Sequence, residues 1–116
     1  MKFSLLIAIV DDTIEDKAID IAKTHGAGGV TSLKGAGIGL NEKKTFFGLT
    51  YERAEAVLIF VLEKQASIKV MKALKKELDL DSTGKGIVMT MPIEHLAGID
   101  VQQVERFQNQ IKDEEV

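Results

Sequence analysis

Two runs of consecutive apolar residues limit this chain more than any other feature. Phe3 to Val10 is interrupted only by Ser4, and Ala56 to Leu62 has no polar residue. Aliphatic and β-branched side chains at that density, without alternation, read as strands with both faces covered. Neither run can cross a bilayer as a helix, which takes about 20 residues. The first run follows Met1-Lys2, as a secretory leader would, but it stops at Asp11-Asp12 with no small-residue cleavage site. The reading is therefore a buried strand over Lys2 to Val10 in a cytoplasmic protein, with another over Glu52 to Glu63.

Helical periods separate the strands. Asp11, Asp12 and Thr13 can each cap a helix, and Asp12 with Glu15 approximates a capping box. Ile14, Ala18, Ile21 and Ala22 recur at helical spacing, with Glu15, Asp16, Lys17, Asp20 and Lys23 on the other face. Gly26 stops that helix and Gly28-Gly29 prevent its resumption. Val30 to Lys34 reads as a short second strand. From Gly35 to Thr50 no period holds, and four of the chain's 10 glycines fall there. A mobile loop of about fifteen residues is expected, long enough to suggest a role beyond connection. A second helix starts over Gln65 to Ser67, with Ser67 as cap and Ile68, Met71, Leu74 and Leu78 as its core stripe. Its lysines, Lys69, Lys72, Lys75 and Lys76, read as a solvated face. Asp79 to Gly86 is rich in turn residues. Ile87 to Met91 reads as a fourth strand closed by Pro92, the only proline. Val101, Val104, Gln108 and Ile111 then predict a C-terminal helix with a charged end.

Strand, helix, strand, loop, strand, helix, strand makes two βαβ halves. Right-handed crossovers put both helices on one face of one sheet. The expected fold class is α+β: a ferredoxin-like split βαβ arrangement with an antiparallel sheet and a C-terminal helical extension, residues 1–116 forming one domain. Helices then cover only one sheet face, yet the strands are apolar on both. The simplest cover for the second face is another subunit. The net charge of −3 argues against nucleic-acid binding through a positive field. The absence of cysteine excludes disulfides, thiolate metal sites and cysteine nucleophiles.

Three local motifs resemble the PII-like proteins, the nitrogen regulatory P-II superfamily. Gly29-Val-Thr-Ser-Leu-Lys-Gly35-Ala-Gly37 is similar to that family's second strand and the entrance to its T-loop. Thr83-Gly84-Lys85-Gly86-Ile-Val resembles its glycine-rich turn before the fourth strand. Val88-Met-Thr-Met-Pro92-Ile93-Glu94 resembles its strand-to-proline ending and the helical turn after it. The resemblance implies a homotrimer that binds a small anionic ligand, such as ATP, ADP or AMP, between subunits. It also implies a T-loop-like segment over 37–50 that engages a target such as a membrane transporter or an enzyme. The chain departs from the family in four ways. Its loop looks shortened, and the loop lacks the tyrosine that modifying enzymes address. Ile87 stands where the family carries a phosphate-binding lysine. His95 to Asp100 contains no arginine.

Read for chemistry, Lys34 ends a strand, Gly35, Gly37 and Gly39 follow it, and glycine N–H groups can cradle an anion. Thr83, Gly84, Lys85 and Gly86 put a hydroxyl, a cation and two unhindered amides within four residues. Each set has a plainer reading, as a flexible hinge and as a turn. Phe46 and Phe47 are candidate partner-binding residues, since exposed phenylalanines at a loop tip need a cover. His25 and His95 have no companions at metal-ligand spacing, and no nucleophile–base set is legible, so no catalytic or metal residue is assigned. The expected function is PII-like signalling rather than catalysis. The alternatives are a metal-handling protein or enzyme on the same scaffold, or a structural oligomer with no ligand.

Overall fold

The computed structural model describes residues 1–37, 45–46, 49–50 and 53–99. Its frame is a four-stranded antiparallel sheet in the order β2-β5-β1-β6, where β1 is Phe3–Asp11, β2 Thr31–Gly37, β5 Arg53–Glu63 and β6 Gly86–Ile93. Two short strands, β3 (Thr45–Phe46) and β4 (Leu49–Thr50), pair with each other inside the segment expected to be a loop. The helices are α1 (Glu15–Thr24), α2 (Lys64–Glu77) and a single turn, α3 (Leu80–Thr83). This is the α+β, ferredoxin-like order expected from the sequence.

The apolar runs form the two central strands. β1 pairs with β5 from Phe3↔Glu63 to Asp11↔Glu55 and with β6 from Phe3↔Ile93 to Val10↔Gly86. Alternate side chains therefore feed opposite faces. Leu6, Ala8 and Val10 of β1 join Ala56, Leu58, Phe60 and Leu62 of β5 under the helices, where Ala18, Ile21, Ala22, Val70 and Leu74 complete the core. The other face carries Leu5, Ile7, Ile9, Val57, Ile59, Val61, Ile87 and Met91. No described element covers it: Val61 is 41% exposed, Ile87 56% and Leu33, on β2, 52%.

The element ends depart from expectation for local reasons. The helix after β1 opens with a 3-10 turn, Asp12–Ile14, capped by Asp11, whose Oδ1 accepts from the Thr13 N–H at 3.0 Å and the Thr13 hydroxyl at 2.7 Å. The capping box of Asp12 and Glu15 does not form, because both acids turn to β2. Lys34 Nζ donates to Asp12 Oδ1 at 2.6 Å and to Glu15 Oε2, and Ser32 Oγ donates to Glu15 Oε1. α2 starts one residue before Gln65, capped by Glu63, whose carboxylate accepts from the N–H groups of Gln65 and Ala66. Ser67 is buried inside the helix and donates to the Lys64 carbonyl at 2.6 Å. β6 runs through Pro92, which an edge strand tolerates because one side of it has no ladder. Residues 94–99 hold no helical turn. The C-terminal helix expected after residue 99 lies outside the described residues.

Phe60 is the largest fully buried side chain, at 1% exposure. Phe60→Ala is expected to cost about 3–5 kcal/mol by chemical denaturation at fixed protein concentration. The Lys34 cluster gives a pH signature. Hydrogen bonds from Lys34 and then Ser32 hold the Glu15 carboxyl below its ordinary 4.5. Stability from that shift is present above pH 4.5 and is lost as the pH falls through the depressed folded value. The denaturation midpoints of the parent and Glu15→Gln should therefore differ near neutral pH and converge on acidification below that value.

Candidate functional site

The two ligand-binding segments named from sequence stand at one end of the sheet. β1 ends there at Asp11, β2 at Gly37, and β5 and β6 begin there. The segments occupy opposite edges, however, since β2 and β6 are the outer strands. Three interstrand spacings separate them, about 14 Å at 4.8 Å each. One small ligand cannot be gripped by both edges of a single chain with β5 and β1 between them.

At the β2 edge, Gly35 and Gly37 are not loop residues. They pair with Glu55 and Arg53 in the sheet. Their surroundings are acidic: Asp12 and Glu15 hold Lys34, and the Glu55 carboxylate lies over Gly37, 2.5 Å from where a Cβ would stand. The Lys34 ammonium is held above its ordinary value by Asp12 and then Glu15, so it stays charged and already has partners. Gly39 lies outside the described residues.

At the β6 edge, the Asp11 N–H donates to the Lys85 carbonyl at 2.8 Å, fixing the Thr83–Gly86 turn against the end of β1. Gly84 has φ +60°, a conformation side chains rarely adopt, and it closes α3. Gly86 is required for a different reason: a Cβ there would lie 2.8 Å from the Ile9 carbonyl oxygen. The Thr83 hydroxyl donates to the Asp79 carbonyl at 3.0 Å. Lys85 is exposed, and among the described residues no carboxylate pairs with it.

Of the candidate partner-binding pair, Phe46 is in β3 and Phe47 lies outside the described residues. His25 Nδ1 contacts the Ile21 carbonyl at 2.8 Å and lies 4.0 Å from Glu77, which ties it to the helix pair. Among the described residues no cluster of three or more His, Cys, Asp or Glu could hold a metal, and no helix is long and apolar enough to cross a membrane. Sequence reasoning missed a cleft of about 650 Å³ at the far end of the sheet, between the start of α2 and the end of β6. It also missed the Lys34 cluster. A lysine in the middle of a strand and an acid in the first helical turn carry no signal that they meet.

No family model matches the sequence, and no curated protein matches it. Solved structures do. A nitrogen regulatory PII-like protein, CPII of Thiomonas intermedia K12, solved with ADP, AMP and bicarbonate, is 15% identical with a TM-score of 0.64, over 85% of this chain and 98% of that one. A DUF3240 family protein of Shewanella baltica OS155 is 15% identical with a TM-score of 0.63, over 86% and 99%. A candidate PII-like signalling protein of Thermus thermophilus is 15% identical with a TM-score of 0.60, over 80% and 87%. With its strand order, its two-helix face and its glycine turn before the last strand, the chain has the fold of the PII-like proteins.

Proposed function

We propose that this chain is a divergent PII-like sensor, a cytoplasmic homotrimer that binds an adenine nucleotide between subunits and signals through residues 37–50. The observation that carries the reading is the placement of the two glycine segments at one end of the sheet but on opposite edges. A neighbouring copy would bring the β2 edge of one subunit to the β6 edge of the next. The uncovered aliphatic face supports the same assembly, since contiguous exposed apolar surface marks an interface. The structure of CPII with ADP and AMP supports the ligand class.

The electrostatics divide the labour. Phosphate would sit at Thr83–Gly86, where the Lys85 ammonium is exposed and no carboxylate pairs with it among the described residues. The β2 edge is lined by Glu15, Asp12 and Glu55 and suits the uncharged part of a nucleotide. Lys34 would act chiefly by holding β2 to α1, so that the 37–50 segment leaves from a fixed strand. A ligand shifts that segment only if it binds one of its arrangements better than another, and a target protein then reads the result, with Phe46 and Phe47 as anchors. Nothing in this scheme calls for bond making, and the protein acts as a binder rather than as an enzyme.

Titration calorimetry with ATP, ADP, AMP and cyclic nucleotides tests the ligand. At least one should bind, and Lys85→Ala should weaken it about tenfold, the loss of one charge-assisted contact. If none binds, the sensing reading fails. The assembly has its own test. Val61→Asp puts a charge on the open face without touching the core, and sedimentation should show it as a monomer where the parent is a trimer. A monomeric parent would rule out the intersubunit site.

A further inference from the structure

The cleft at the far end of the sheet has a chemical character of its own. The only buried polar residues among those described are Ser4 and Ser67, and both line it. Ser67 uses its proton on the Lys64 carbonyl, which leaves its oxygen able to accept but not to donate elsewhere. The lining is mixed: Phe3 from β1, Ile68 from α2 and Leu96 from the segment after β6 are among its apolar side chains, alongside the polar Thr90 and the two serines. Two lysines, Lys2 and Lys64, belong to the lining. Lys64 N–H donates to the Lys2 carbonyl at 2.9 Å, so the two residues are neighbours. Among the described residues no carboxylate pairs with either ammonium. The first turn of α2 holds no acid, so its positive end adds to the lysines, offset in part by the Glu63 cap. Glu94 is the one acid in the lining.

A cleft of this size that combines apolar side chains with two neighbouring lysines, neither paired with a carboxylate among the described residues, suits a molecule with a hydrocarbon body and an anionic head. We infer that the cleft is a second ligand site, for a small amphipathic carboxylate whose acyl chain lies against Phe3, Ile68 and Leu96 and whose head meets Lys2 and Lys64. A cationic amphiphile would place its head against two ammonium groups, and a neutral one would leave them without a partner. The site is at the opposite end of the sheet from Thr83–Gly86 and does not depend on the nucleotide reading.

Sodium octanoate titrated into the full chain, followed by NMR of side-chain methyl signals, tests it. Octanoate should saturate, moving the signals of Ile68 and Leu96 and leaving those of Leu33 and Ile87 on the open sheet face in place. The double variant Lys2→Ala, Lys64→Ala removes only exposed charges. It should keep its melting temperature and bind octanoate about tenfold more weakly, and octylammonium should bind the parent at least as weakly. Lys64→Glu should weaken octanoate further. The inference is overturned if octanoate does not saturate, as expected where a second copy or residues 100–116 fill the cleft. It is equally overturned if octylammonium binds as tightly, if the double variant binds within twofold of the parent, or if the shifts map to the open face.

Discussion

The central strand β1 is hydrogen-bonded on both edges, to β5 and to β6, and apolar on both faces. Everything else follows from that strand. Its even positions, Ser4, Leu6, Ala8 and Val10, lie under the helices, while Leu5, Ile7 and Ile9 point to the other side. A strand alternating polar and apolar would have finished the fold with one buried face. This one leaves an aliphatic surface shared by β1, β5 and β6, and burying that surface is the strongest force available for association. The same pairing brings the end of β1 beside the starts of β5 and β6, which gathers Asp11, Glu55 and Gly86 at one end.

That gathering sorts charge. The end bearing the glycine segments is acidic on its β2 side, where Asp12 and Glu15 hold Lys34, and on its β6 side presents Lys85, which no carboxylate pairs with among the described residues. The opposite end presents Lys2 and Lys64 in the lining of a cleft of mixed polarity. Although the net charge is −3, lysines without a carboxylate partner among the described residues stand at both ends of the sheet. Steering by the whole-molecule field would not favour anions, so recognition at either point depends on short-range contacts.

Much of the fold was legible because its signals are local. The unbroken run Ala56 to Leu62 is short and rich in β-branched and aromatic residues, which reads as a buried strand. The spacing of Ile68, Met71, Leu74 and Leu78 is helical, and the βαβ order fixes the sheet. What was not legible depends on residues distant in sequence. Glu15 would have completed a capping box in an isolated helix, but Ser32 and Lys34, brought alongside by β2, claim its carboxylate instead. Ser67 looked like a cap because serine favours that position at a helix start, but the Glu63 carboxylate accepts from the free N–H groups of Gln65 and Ala66 instead. Gly35 and Gly37 looked like loop because glycine weakens a strand, yet β5 supplies enough pairing to carry β2 through them. The candidate site was legible only as two segments, since their edges are set by sheet order.

The glycine turn shows how much of a motif the fold itself consumes. Gly84 is needed for its positive φ, and Gly86 for its approach to the Ile9 carbonyl. The Thr83 hydroxyl is committed to Asp79. Three of the four residues that suggested phosphate recognition thus have structural reasons to be there. The exception is Lys85, exposed, unpaired among the described residues, and anchored through its own carbonyl to Asp11. No packing demand explains a lysine at that position. The motif therefore points to a ligand less through its glycines than through the one side chain the fold does not use.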